Sequence, residues 1–293
     1  MIISASRRTD VPAFFGEWLV NRLRAGYCKV RNPFNPHQVN RLELTPETVD
    51  AIVFWTRDPR PFTRALEELD ARGFRYVFLM TITGYPRELE AATPSLDDQI
   101  EALQQLEQRI GCTRIAWRYD PILLSNHTNE SWHLDNFSKI GEKLATAIDH
   151  GIISLIDYYR KSERHLKPLE ATGWKFRREP DAGPAFDDFV RHLAERAKAI
   201  GVRLQTCCES HPSFAAAGIL AGSCIDQEWL NRSLSLHLKQ TGRDRGQRPG
   251  CLCAPSKDLG SNHTCRHACR YCYATQSHDP AKLRQHDPLT EFL

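Results

Sequence analysis

The chain has 293 residues, 41% of them hydrophobic and 26% charged, the composition of a globular protein that buries a core. Its formal charge of +3 is too small to argue for nucleic acid or an anionic membrane as partner. No apolar run approaches the roughly 18 residues that span a bilayer, and the opening "MIISASRRTDVPAFF" lacks the basic start and long apolar stretch of a signal peptide. A cytoplasmic protein is expected.

Short apolar, β-branched runs predict strands at 1–6 (MIISAS), 49–55 (VDAIVFW), 75–83 (RYVFLMTIT), 113–119 (TRIAWRY), 152–158 (IISLIDY) and 202–208 (VRLQTCC). Such near-continuous runs suit strands covered on both faces of a parallel sheet. Stretches with helical spacing lie between them, at 12–26, 60–73, 95–111, 136–151 and 185–201, several closed by glycine. Residues 160–184 are charged and punctuated by proline and glycine, which reads as a loop or a partly helical excursion. Strand then helix, repeated at least six times, predicts an α/β fold with parallel strands. No glycine-rich fingerprint follows the first strand, which argues against a dinucleotide-binding sheet. A (β/α) TIM-like barrel, full or partial, is expected over 1–240. An irregular, Cys-rich tail, 241–293, is expected to pack on it, with no strand in "KDLGSNHT".

Chemistry in parallel barrels collects where strands run out toward helices. The first strand ends in Ser6, Arg7, Arg8, Thr9 and Asp10; the second in Trp55, Thr56, Arg57 and Asp58; the third offers Thr81 and Thr83. The fourth ends in Arg118, Tyr119 and Asp120, the fifth in Asp157, Tyr158, Tyr159 and Lys161, the sixth in Cys208 and Glu209. Asp10 and Asp58 serve equally well as helix caps. Arg7 and Arg118 adjoin apolar strands, where an unpaired guanidinium is costly. Each needs an acidic neighbour such as Asp120, Asp157 or Glu209, or an anionic ligand gripped through two parallel hydrogen bonds.

Eight of the ten cysteines lie after residue 206, and clustered cysteines in a reducing compartment point to metal or redox chemistry. Cys28 and Cys112 stand apart and read as small buried hydrophobes. In "TCRHACRYCYA" (264–274), Cys265, Cys269 and Cys272 fall at C-x3-C-x2-C. Thiolates favour zinc, copper(I) and iron–sulfur clusters, and three in eight residues can hold three corners of a [4Fe–4S] cube. Structural zinc is the alternative, with His263 and His267 close by. Cys208, Cys224, Cys251 and Cys253 are candidates for a second centre, an iron–sulfur cluster or zinc; Cys207 reads as apolar filler.

The triplet, with Tyr271 before its third cysteine, resembles the signature of the radical S-adenosylmethionine (radical SAM) enzymes. Tyr273 and Ala274 resemble the photoproduct-lyase branch. The resemblance implies a parallel barrel and a [4Fe–4S] cluster whose open iron chelates S-adenosylmethionine. It also implies reductive cleavage to a 5′-deoxyadenosyl or 3-amino-3-carboxypropyl radical, and an electron donor such as flavodoxin or ferredoxin. Arg7, Arg8, Asp10, Arg118, Asp120, Asp157 and Glu209 then become the candidate catalytic residues, acting on a small molecule. Tyr271, Tyr273, Arg57 and Tyr119 become the cofactor-binding set. In that superfamily the cysteine loop follows the first strand, whereas here it lies near the end of the chain, and no GGE-like segment is found. A tail folded back over the barrel mouth is the expected remedy, with a permuted barrel as the alternative. "SRRTD", "FWTRDP", "CCES", "CID" and the C-terminal cysteine pattern together resemble the DUF1848 family over nearly the whole chain; that family carries no settled reaction. A nucleic-acid repair or modification protein and a non-catalytic zinc-stabilised barrel are the competing readings. The basic segments that would support the former alternate with acidic residues, as solvated surfaces do.

Overall fold

The computed structural model describes residues 1–32, 35, 37–179, 183–239, 242–279 and 286–293. Strand β1 (Ile2–Ala5) leads through helices α1 (Val11–Phe14) and α2 (Gly16–Ala25) to a hairpin of β2 (Tyr27–Arg31) and β3 (Val39–Glu43). Then follow β4 (Ala51–Thr56), α3 (Thr63–Ala71), β5 (Tyr76–Thr81), α4 (Leu96–Ile110), β6 (Ile115–Ile122), α5 (Glu130–Leu144) and β7 (His150–Leu155). Helices α6 (Arg160–Glu170) and α7 (Pro184–Ala199) precede β8 (Leu204–Cys207), α8 (Pro212–Ala216), β9 (Leu220–Gly222), α9 (Gln227–Leu234) and β10 (Ser256–Asp258).

Eight strands form one sheet in the order β10-β1-β4-β5-β6-β7-β8-β9, and every neighbouring pair is parallel. All six strands expected from the apolar runs are in it. The sheet has two edges, β9 and β10, and among the described residues no pairing joins them. The parallel α/β expectation is thus met, while closure into a ring is not established.

Alternation along the strands assigns the two faces. Ile52, Phe54, Tyr76, Phe78, Met80, Ile115, Trp117 and Tyr119 join the core that packs against the helices. Val53, Trp55, Val77, Leu79, Ala116 and Ile152 belong to a second core on the other face. That face is covered by Trp229 and Leu230 of α9 and by Leu236, Cys251, Cys253 and Ala254. Both faces are dry, which is why the strands read as continuous apolar runs.

The partly helical excursion expected within 160–184 is present as α6, with Pro168 inside it. Two expectations are corrected. Helix α5 starts at Glu130, six residues before the predicted start, because the Asn129 side chain accepts the Trp132 N–H at 3.0 Å and caps it. The tail is not wholly irregular: Ser256–Asp258 pairs in parallel with Ile2–Ser4, so the segment read as lacking a strand supplies one edge of the sheet. The expected boundary at 240/241 lies outside the described residues. Among the described residues no helix is long and apolar enough to cross a membrane.

Candidate functional site

The site begins at the end of β1, where Asp258 of β10 gathers the "SRR" segment. Its carboxylate accepts from Ser4 Oγ at 2.9 Å, Ser6 Oγ at 2.8 Å and the Arg7 N–H at 2.9 Å, and pairs with Arg8 at 3.2 Å. The turn after β10 needs glycine: a Cβ on Gly260 would overlap the Ser6 hydroxyl. Asp10 does both jobs the sequence left open. It caps α1 by accepting the Ala13 N–H at 3.0 Å, and it also accepts the Arg57 N–H at 2.8 Å and His267 Nε2 at 2.7 Å.

His267 belongs to the three-cysteine loop, which leaves the end of β10 and crosses the ends of the neighbouring strands. Cys269 forms an antiparallel bridge with Glu90, the Arg270 N–H donates to Leu89 O at 2.8 Å, and the Ala92 N–H donates to His267 O at 3.1 Å. Beneath the loop, Arg57 pairs with Glu90 at 3.0 Å and donates to Tyr271 Oη at 2.5 Å. Tyr271 donates to Glu90, and so does Thr83, at 2.6 Å. Burial opposes the Arg57 cation, but Glu90 and its other anionic neighbours more than offset this and hold its pKa well above the ordinary value. Tyr273 donates to Arg7 O at 2.7 Å, fastening the loop to the end of β1.

The three sulfurs share this environment. Burial pushes the Cys265 thiol up to about 12, Cys272 adds to the shift, and N–H groups of His267 and Asp10 donate to the sulfur and pull the other way. Cys269 is also raised by burial, against the pull of Arg57, and feels both Cys265 and Cys272. Cys272 accepts the Ala274 N–H at 3.4 Å. Thiols that take backbone N–H groups at sulfur have the chemistry of soft-metal ligands, while among the described residues no group of three or more Cys, His, Asp or Glu is placed to hold an ion. The [4Fe–4S] cluster implied by the motif would be held by Cys265, Cys269 and Cys272.

All three line one cavity of about 370 Å³, together with Arg7, Arg8, Asp10, Arg57, Arg118, Asp120, Asp157, Tyr271 and Tyr273. Most of the site residues predicted from strand ends therefore converge. Arg7 and Arg118 lie over the Trp55 ring, at 5.4 and 4.7 Å from its centroid. Arg118 pairs with Asp120, which accepts from Ser154, and Asp157 pairs with Arg248. Burial opposes the Arg7 cation, yet Cys253 and Asp258 raise its pKa. Arg7 Nη2, Thr9 Oγ1 and Arg118 Nε are buried without a hydrogen-bond partner, and all three residues line the cavity.

Other assignments change. Tyr119 lies on the helix-facing side of β6, bonded to His133 and Asn136 at 2.9 and 3.0 Å, and does not line the cavity. Alternation explains this, since Arg118 and Tyr119 must point to opposite faces. Glu209 is also outside the lining; it accepts the Leu155 N–H at 2.8 Å, and burial pushes its carboxyl up to about 7. Cys207, read as filler, joins Cys224, Cys251 and Cys253 in one buried group, with Cys207 and Cys224 sulfurs 3.2 Å apart. Cys208, past the strand end at φ 62°, packs at the margin of this group, lines the cavity and donates to Pro249 O at 3.4 Å. The sequence reading missed Glu90, Arg248 and Asp258, and took His267 only as a neighbour for zinc. His267 lies within the cysteine motif and Asp258 shortly before it, but Glu90 and Arg248 carry no local signal.

A family model described as a domain of unknown function, DUF1848, matches residues 2–274. The chain belongs to the DUF1848 family. No curated protein matches it. Among solved structures, this DUF1848 chain is similar to the dihydropyrimidinase of Brevibacillus agri NCHU1002 at 11% identity and a TM-score of 0.31, over 70% of this chain and 39% of that one. A D-hydantoinase matches at 12% and 0.33, over 74% and 43%, and the D-hydantoinase of a Bacillus sp. AR9 at 13% and 0.31, over 70% and 39%. The chain spans about two fifths of the length of these proteins.

Proposed function

We propose that the chain is a radical SAM-type enzyme of a small-molecule substrate. In this reading Cys265, Cys269 and Cys272 hold a [4Fe–4S] cluster that, charged by a flavodoxin- or ferredoxin-like donor, cleaves S-adenosylmethionine to a 5′-deoxyadenosyl or 3-amino-3-carboxypropyl radical. The observation that carries it is the place of the loop. The three cysteines follow a parallel strand, β10, beside β1, and face a cavity at the strand ends. That is the relation of loop to strand expected of the superfamily, reached through a strand late in the chain. The pairing of β10 with β1 favours the permuted arrangement over the simple folded-back tail in this reading, with the eight strands as a partial barrel and the cavity at its mouth.

The chain's own residues bind and orient. Arg7 and Arg118 present unpartnered N–H groups suited to a carboxylate, and Asp120 and Asp157 offer acceptors to an ammonium. Tyr271, with its hydroxyl committed to Arg57 and Glu90, sets the pitch of the loop. Trp55 supplies an apolar wall between the two arginines.

Anaerobic reconstitution with iron and sulfide, then dithionite and S-adenosylmethionine, tests this. A brown protein absorbing near 400 nm, with about four irons lost in Cys269→Ala, is expected. Mass spectrometry should find 5′-deoxyadenosine for one cleavage mode and 5′-methylthioadenosine for the other. Neither product from a fully loaded protein would refute the proposal.

A further inference from the structure

We propose that Cys207, Cys224, Cys251 and Cys253 form a second, four-thiolate metal centre, distinct from the triplet. The inference stands on the placement of these sulfurs and is independent of the reading given to Cys265, Cys269 and Cys272.

The four cysteines come from three separate segments: the end of β8, the turn after β9, and the stretch before β10. All are buried and none is in a disulfide. All four belong to one buried cluster and line the same cavity, and Cys253 interacts with Cys207, Cys224 and Cys251. Cys207 and Cys224 close the other side at 3.2 Å. The backbone holds the segments together: the Ala254 N–H donates to Ile225 O at 2.9 Å, and the Ile225 N–H to Cys253 Sγ at 3.4 Å.

Apolar packing alone does not account for this. Buried cysteines acting as small hydrophobes have no reason to point four sulfurs at one another. Nor would they collect cations, yet Arg7 interacts with Cys253 and Cys224, and Arg118 with Cys224, and both arginines line the cavity beside them. Both guanidiniums keep a buried N–H without a partner. Four thiolates around one divalent ion carry a net negative charge, which two adjacent arginines complement.

The spacing sets the kind of centre. In a tetrahedral four-thiolate zinc site, bonds of about 2.3 Å place the sulfurs roughly 3.8 Å apart. Among the described residues no group of three or more Cys, His, Asp or Glu is already spaced to hold an ion. The Cys207 and Cys224 sulfurs stand 3.2 Å apart, so binding needs this pair to open by about half an ångström, through side-chain rotation. This tight grouping suits a single soft ion better than a cube, whose corners stand further apart. With ligands from β8, the β9 turn and the tail, such an ion would fasten the tail across the inner face of the sheet.

The test is metal analysis of the whole chain purified anaerobically, with Cys269→Ala as background so that the triplet contributes no cluster. About one zinc, or about one iron with rubredoxin-like absorbance, per chain is expected, and the metal found names the ion. Cys253→Ser and Cys207→Ser should each reduce it at least fivefold, whereas Cys208→Ser should retain it. Should the serine variants fail to fold, mercurial titration of the Cys269→Ala protein must release the same metal as its thiols react. Absence of stoichiometric metal, a Cys207–Cys224 disulfide in its place, or dependence on Cys208 rather than Cys207 would overturn the proposal. Failure to cleave S-adenosylmethionine would leave it standing, because every readout is metal content.

Discussion

In the proposed reading, ligand recognition turns on Arg7 and Arg118. Each is held over Trp55 and keeps one buried N–H free of any protein partner. A charge-assisted hydrogen bond contributes about 1.5–3 kcal/mol. Arg118→Ala or Arg7→Ala is therefore expected to weaken S-adenosylmethionine binding roughly ten- to a hundredfold, while the iron held by the triplet stays constant. Calorimetric titration of reconstituted protein measures it, and unchanged affinity would remove both from the site. Lysine should rescue poorly, since one ammonium cannot replace a planar fork. These arginines were legible in the sequence because a cation at the end of a dry strand has few explanations. Tyr119 was misread through one rule, the alternation of side chains along a strand. Arg118 faces the cavity, so Tyr119 points to the helix-covered face.

Among the elements, β10 matters most and was the hardest to foresee. Three residues, Ser256–Asp258, are too few for any periodicity to register. The strand exists because tertiary contacts supply what local pattern lacks: parallel pairing with β1 and a carboxylate that meets two hydroxyls, a backbone N–H and Arg8. The long strands and helices needed no such help, since their apolar spacing alone defines them. Removing the Asp258 carboxylate leaves several buried donors unpaired, and each such group costs about 1–3 kcal/mol. Asp258→Ala is thus expected to lower unfolding stability by about 2 kcal/mol or more, read as a shift of the urea midpoint. Gly260→Ala should act in the same direction, because its methyl group displaces Ser6 from the same carboxylate. A midpoint unmoved in both variants would mean that β10 contributes little to the docking of the cysteine loop.

The stability of the whole molecule carries a pH dependence set in its core, away from the cavity. His133 of α5 is fully buried against Tyr119, Tyr85 and Phe189, with ring nitrogens bonded to Tyr119 Oη at 2.9 Å and Leu123 O at 3.1 Å. Burial pushes its pKa from 6.5 down to about 4, and the opposing pull of Leu123 O and Glu130 is too weak to restore it. Between those two values the unfolded chain takes up a proton that the folded chain refuses. Stability therefore rises with pH in that window and is lost as pH falls from about 6.5 toward 4, where the folded form protonates too. From pH 7 to pH 5 this one group accounts for about 2 kcal/mol. His278, also held at about 4 by burial, adds a loss of the same sign, so the midpoint of the natural chain should fall steeply over this range. The decisive comparison is of slopes. His133→Gln is expected to start less stable at pH 7, having lost a fitted ring, and then to lose about 2 kcal/mol less on acidification to pH 5. Parallel curves for the two proteins would show that the His133 ring takes up its proton without opening the core.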